Sequence, residues 1–203
     1  MIPRCSTTNL PTPATISTLW RNNRLNPLAS DLQRHWLARG GALTVGLRKL
    51  GDLQLRVVRE SLVMPSSDER AAIHVLTQQP VHVREICMSI DGVDCVVARS
   101  LVSVQARRGC WQAIGRLGRR PLADILYDDR RVTRSVFQSA RLRRPHPLAQ
   151  LALFVDPRSN NCRSQAYWAR RSVFWRESQP LLVAECFLPA FWQIARTFGD
   201  TNG

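Results

Sequence analysis

Hydrophobic and polar positions along the chain form three kinds of run, and each predicts an element. In LASDLQRHWLARGG (28–41) the apolar residues recur at helical spacing. Leu32, Trp36 and Leu37 share one side, Ser30 or Asp31 can cap the start, and Gly40-Gly41 stops the run. In VHVREICMSIDGVDCVVARS (81–100) two apolar runs flank Asp91-Gly92, the dipeptide favoured by a two-residue type I′ turn because both central positions need φ > 0. That turn sets a register in which Ile90 faces Val93, Met88 faces Cys95, Ile86 faces Val97 and Arg84 faces Arg99. WARRSVFWRE (168–177) and LLVAECFLP (181–189), separated by SQP, read as a closing pair of strands.

The remaining runs are shorter. ALTVGLRKLGDLQLRVVRESLVM (42–64) alternates well enough for two strands, with a turn near Leu50-Gly51-Asp52. MPSSDER (64–70) is expected to be a loop, AAIHVL (71–76) a short strand and TQQP (77–80) a break. CWQAIGRLG (110–118) reads as a short helix ending at Gly118, and RRPLADILYDD (119–129) as another with Pro121 in its first turn. VTRSVFQSARL (132–142) fits either helix or strand. Residues 143–166 mix Pro, Ser, Asn and Arg around a brief apolar run, so 145–167 is expected to be an insertion or long loop. There is no internal repeat and no βαβ alternation. The pattern predicts an α+β single domain over 19–203, an antiparallel sheet with several helices, preceded by a flexible tail at 1–18 rich in Ser, Thr and Pro.

Composition narrows the class. With 203 residues and 44% hydrophobic content, the chain can bury one good core. The apolar runs are too short to span a bilayer, and the first residues lack a secretory h-region, so the expected location is the cytoplasm. The six cysteines contain no C-x-x-C and the four histidines have no ligand spacing, which predicts reduced thiols and no metal site. A net charge of +14 invites a nucleic-acid partner, but the basic residues run from Arg4 to Arg196 without forming one stripe, and Lys49 is the only lysine. Specific nucleic-acid binding is therefore not expected.

Candidate chemistry rests on few residues. There is no Gly-rich phosphate loop, nucleophile elbow or metal cluster. Arg84 and Arg99 sit, in the register above, as a facing pair of like charges on an otherwise apolar sheet face, which is repulsive in an empty protein. Glu185 is a lone carboxylate in LLVAECFLP and needs a partner or a proton. Two readings are open: Glu185 pairs internally with one arginine while the other reaches solvent, or both guanidiniums flank a pocket for a dianion. The start of a helix near Pro121 adds free backbone N–H groups around Leu122 and Ala123.

Together, VREICMSIDGVDCVVAR (83–99), LGRRPLADIL (117–126), WARRS (168–172) and PLLVAECFLP (180–189) resemble the chorismate–pyruvate lyase family in order and spacing, with a looser match over 31–45. The resemblance implies a six-stranded antiparallel sheet with helices and flap-like loops over a buried pocket, in a monomer. It implies a cofactor-independent elimination that converts chorismate to pyruvate and 4-hydroxybenzoate for ubiquinone synthesis. On matching positions, Arg84 holds the ring carboxylate with the backbone of Leu122, and Arg99 takes the enolpyruvyl carboxylate. Glu185 contacts the ring hydroxyl, as acceptor or general base, and Leu32 lines the pocket. Ala123 stands where the family commonly has glycine. The alternative is a non-catalytic aromatic-acid sensor of related fold, although residues 1–30 are too few for the DNA-binding module such regulators carry.

Overall fold

A computed structural model describes residues 19–22, 27–75, 79–157 and 165–200; the expected tail at 1–18 lies outside them. In chain order the elements are β1 (Arg21–Asn22), α1 (Asp31–Ala38), α2 (Leu43–Leu47), β2 (Leu53–Val63), α3 (Ser67–Ala72), β3 (Val81–Ile90), β4 (Val93–Ser103) and α4 (Val104–Arg108). A 3-10 turn at Gln112–Arg116 follows, then α5 (Ala123–Leu126), β5 (Thr133–Arg134), β6 (Gln138–Leu142), α6 (Pro147–Val155), β7 (Tyr167–Arg176), β8 (Gln179–Phe187) and α7 (Pro189–Asp200). All strands join one antiparallel sheet in the order β1-β6-β7-β8-β4-β3-β2, with β5 also paired to β7. The α+β class stands. Among the described residues the strand count is corrected from six to eight, because the two-residue strands β1 and β5 add to six longer ones.

Helix α1 forms where the spacing predicts. Ser30 caps it in a reciprocal box: Gln33 N–H donates to Ser30 Oγ (3.3 Å) and Ser30 N–H donates to Gln33 Oε1 (2.9 Å). Residues 42–64 form a helix and one strand in place of two strands. Leu43 and Leu47, at i and i+4, are both buried, so α2 presents a core-facing side that a short alternating pattern conceals. The expected loop at 64–70 and strand at 71–76 are corrected as well. Ser66 and Glu69 form a capping box that starts α3, which extends through Ala72. Ser66-Ser67-Asp68-Glu69 carries the S-x-x-E signature of such a box, which the reading as a loop passed over; Leu76 lies outside the described residues.

The hairpin turn is as expected, with Asp91 at φ 49° and Gly92 at φ 79°. Its register is not. Ile90 faces Val93 and Ser89 faces Asp94, but Met88 faces Val96, so Cys95 is an extra residue, a β-bulge. From there on Glu85 faces Arg99 and Arg84 faces Ser100. The expected facing pair of arginines is therefore corrected: the two side chains leave opposite faces of the sheet, and Arg99 meets an acidic partner.

One face is packed by α1, α2 and α7 around Trp36, Met88, Phe187 and Phe191. The other carries α6, whose Leu148, Ala149 and Ala152 are fully buried against Cys87, Val97 and Cys186. The segment expected as a loop thus contains a core helix at 147–155. Pro147 opens it and His146 Nδ1 accepts from Leu148 N–H at 3.1 Å. Its run of PLAQLALFV is apolar nearly all round, so no amphipathic period marks it.

Helix α3 closes this second face through charge. Arg99, 3% exposed, donates from Nε to Glu69 at 2.7 Å and from Nη1 to Glu85, both carboxylates being buried. Asp68 accepts from Arg171 (3.2 Å), Trp20 Nε1 (2.9 Å) and Ser66 Oγ (2.7 Å), and lies 3.3 Å from His146 Nε2. Burial alone would raise the Asp68 carboxyl, but hydrogen bonds from His146, Ser66 and Trp20 outweigh it and hold the group well below its ordinary 3.8. A depressed carboxyl contributes stability that is fully present above its unfolded value and lost as pH falls through the folded one. Asp68→Asn should therefore cost about 3 kcal/mol in urea unfolding at pH 7, since it strands the buried Arg171. The gap to the parent protein should narrow steadily below pH 3.8.

Candidate active site

The α1/α2/α7 face contains a pocket of about 620 Å³, a volume that includes its solvent-open mouth. Its floor is sheet: Ile86 and Met88 of β3, Ala98 and Ser100 of β4, Ser172 and Phe174 of β7, Val183 of β8. Gly41–Thr44 at the α1–α2 junction and residues 121–123, 126 and 127 form the rim, with Phe137 between β5 and β6. The walls are mostly apolar. The charged side chains that reach them are Arg84, Arg170 and Glu185.

Arg84, 5% exposed, is held on three contacts. Its Nε donates to Glu60 of β2 at 3.0 Å, and its Nη2 donates to the carbonyls of Gly118 (2.7 Å) and Arg120 (3.4 Å). Burial pulls the guanidinium down from its ordinary value, with Glu60 opposing. Gly118 takes φ 53°, the left-handed turn that swings the chain from the 3-10 segment to Pro121. The carbonyl contacts therefore tie the start of α5, with Leu122 at its N-cap, to the strand that carries Arg84.

Glu185 of β8 faces Ala98 of β4 on one side and Arg170 of β7 on the other. Arg170 Nε donates to Glu185 Oε2 at 2.5 Å, and its Nη1 donates to the carbonyls of Trp36 (3.2 Å) and Arg39 (2.8 Å). The guanidinium carbon lies 4.4 Å from the centre of the Phe137 ring. The internal ion pair weighed for Glu185 does exist, but its arginine is neither Arg84 nor Arg99. Tyr127, edge-on to Phe174 at 5.9 Å, borders the same space. Burial and the Glu185 charge push its phenol up, against Arg134 and Arg170, so it stays protonated at neutral pH.

Of the residues singled out in the sequence, Arg84, Leu122 and Glu185 come together at this pocket. Arg99 does not, because the bulge at Cys95 turns it to the opposite face, where Glu69 and Glu85 occupy it. Leu32 does not line the pocket either; it packs against the core around Trp36 and Phe191. Arg170 was missed. Its signal lies in WARRS, where period-two alternation puts Arg170 on the face of Trp168, Ser172 and Phe174 and Arg171 on the other. Burial pushes the Cys87 and Cys95 thiols up, to about 12 and about 11, and neither borders the pocket, so thiolate chemistry has no foothold there. What this arrangement can do is hold a flat apolar ligand by anionic and hydroxyl substituents.

The sequence profile of the chorismate lyase family matches residues 16–197. The chain is 55% identical over 170 residues to the "Probable chorismate pyruvate-lyase" of Bordetella avium, covering 84% of this chain and 83% of that one. The chain belongs to the chorismate lyase family. Its class is thus that of a carbon–oxygen lyase. It is also 42% identical over 173 residues to the "Probable chorismate pyruvate-lyase 1" of Pseudomonas fluorescens, covering 85% and 90%. In backbone the chain resembles a GntR-family transcriptional regulator from Bacillus cereus, with a TM-score of 0.50 and 9% identity over 69% of this chain and 94% of that one. The C-terminal domain of PhnF gives the same TM-score at 14% identity, over 70% and 87%. These likenesses concern the fold alone.

Because Arg99 serves the opposite face, its loss should be felt in stability and not in the pocket of this lyase-family chain. Arg99→Met should cost about 3 kcal/mol in denaturant unfolding, since it leaves Glu69 buried without an ion-pair partner and Glu85 with the half-exposed Arg59 as its remaining cation. The fraction that remains folded should retain parental ligand affinity at the pocket, measured by titration.

Proposed function

We propose that this chain eliminates pyruvate from chorismate to give 4-hydroxybenzoate, the aromatic precursor of ubiquinone. The observation that carries the reading is the convergence of Arg84 and Glu185 on one apolar-walled pocket beside the Leu122 turn. Arg84 holds the ring carboxylate with the backbone N–H of Leu122, and Glu185 accepts from the ring hydroxyl. The flat ring fills the space between Ile86, Leu122 and Phe174.

The chemistry asks for placement and charge compensation. The bond between ring C3 and the ether oxygen breaks, its electron pair leaves on oxygen, and the side chain departs as the enolate of pyruvate. The hydrogen on C4 leaves the ring and reaches the side-chain methylene, completing pyruvate, while the new C3–C4 double bond makes the ring aromatic. Atoms and charge balance with no second substrate. Donors fixed in a water-poor site meet the charge that develops on the departing group, and a bound conformer with the side chain over the ring shortens the path of the hydrogen. A hydroxyl held by Glu185 orients C4 for that loss.

Incubation of the purified protein with chorismate, without added metal or nucleotide, should release pyruvate and 4-hydroxybenzoate in equal amounts. Arg84→Ala and Glu185→Ala should each lower kcat/KM by at least roughly 100-fold, the loss expected for a pocket charge contact. Near-parental rates in both would overturn the residue roles. Tight 4-hydroxybenzoate binding with no turnover would point instead to a sensor.

A further inference from the structure

Arg170 is 1% exposed and lines the pocket, yet only part of its donor set is satisfied by protein. Nε is spent on Glu185 and both Nη1 hydrogens on the carbonyls of Trp36 and Arg39. Its Nη2 makes no hydrogen bond among the described residues. The side chain borders the pocket, so this charged N–H is placed to meet an acceptor that arrives with a ligand.

The shape of the proposed substrate says which acceptor. On the ring of chorismate, the carboxylate and the hydroxyl are para to one another, and the enolpyruvyl ether sits on the carbon next to the hydroxyl. If Arg84 takes the carboxylate end and Glu185 the hydroxyl end, the ether must lie beside Glu185. That is where Arg170 stands, 2.5 Å from the Glu185 carboxylate. Resting on the chorismate reading, we propose that Arg170 is the second anion-binding arginine of this site. Its Nη2 donates to the enolpyruvyl carboxylate and to the charge that grows on the departing enolate, while Nε keeps Glu185 aimed at the hydroxyl. Arg170 is thus a catalytic residue as well as a positioning one. Its anchoring carbonyls hold the guanidinium in place before substrate arrives, so little reorganisation is needed as the bond breaks.

A role solely through Glu185 would affect every ligand that uses Glu185. A direct contact affects only those that carry the side chain. The test therefore compares chorismate, read as kcat/KM, with 4-hydroxybenzoate, read as Kd, because the two share the carboxylate and the hydroxyl. Arg170→Gln should lower kcat/KM for chorismate by roughly 100-fold or more, and weaken 4-hydroxybenzoate by no more than about tenfold, the lost aim of Glu185. In a Glu185→Gln background, adding Arg170→Gln should still lower kcat/KM by about tenfold or more. Arg170→Lys keeps a cation within reach of the pocket and covers the case in which Arg170→Gln does not fold. It should raise KM for chorismate while leaving 4-hydroxybenzoate affinity near parental. Equal losses for the two ligands in either variant, or no further loss in the Glu185→Gln background, would overturn this role alone. A parental protein that releases no pyruvate would overturn the activity and the role together, and that result appears before any variant is made.

Discussion

One inserted residue, Cys95, decides which side chains of the central strands share a face. Side chains on a strand alternate with a period of two, so one extra residue exchanges every later position between the two faces. Without it, Arg99 would stand opposite Arg84 on the pocket face as a pair of like charges, Glu69 would be left buried without its cation, and Glu85 would keep only Arg59. With it, Arg99 meets Glu85 across the hairpin, and Ser100 takes the place beside Arg84. The same shift puts Ala98 next to Glu185 on the neighbouring strand, a small residue that leaves room for a ligand. Asp94, just before the bulge, accepts from Ser89 Oγ and from Arg56, which fixes the distortion locally. The pocket and the ionic layer behind it are two outcomes of one register.

The two faces use charge differently. Behind the sheet, Arg99 and Arg171 are enclosed by carboxylates that belong to α3 and β3, and their donors are directed inward to protein. Burying such pairs costs desolvation, so their contribution is orientation more than net stability: they hold a six-residue helix against the sheet. On the pocket side, Arg84 and Arg170 are each fastened by one carboxylate and by main-chain carbonyls. Each keeps an Nη group without a hydrogen bond to protein among the described residues. Arg99, which donates to carboxylates from all three of its nitrogens, serves structure, whereas Arg84 and Arg170 border the pocket.

This difference explains how far the sequence could be read. The turn at Asp91-Gly92, the capped helix α1 and the closing strands were legible because their signals are local: a φ requirement, a cap and a stop, two apolar runs around a break. Arg84 and Glu185 were legible because each is a charge in an apolar run. A bulge leaves a weaker trace. VDCVV departs from alternation by one residue, and any register counted outward from the turn carries that error to its far end, which is how Arg99 came to be placed with Arg84. Helix α6 was hidden for the opposite reason, since its exposed side carries Phe154 along with Gln150, and so no polar stripe reveals its period. Arg170 was legible in kind, within WARRS, but only the paired strands show which of the two adjacent arginines faces Glu185.

Helix α1 shows how a local signal reaches the chemistry by an indirect route. Resemblance placed Leu32 of this helix at the pocket, whereas the structure connects the helix to it through its last turn. Gly40-Gly41 ends the helix and lets the chain turn toward α2, so the carbonyls near its C-terminus have no further turn of helix to satisfy them. Trp36 and Arg39 direct theirs at Arg170. The negative end of a helix favours a cation, and here that cation is the one paired with Glu185. The capped start at Ser30 and the glycine stop set the length of α1, and that length sets where its carbonyls fall. Those carbonyls orient the guanidinium, and the guanidinium fixes the Glu185 carboxylate at the pocket wall. A change in α1 that shortened or frayed its last turn would therefore reach the pocket through hydrogen bonds, although no residue of the helix lines the pocket.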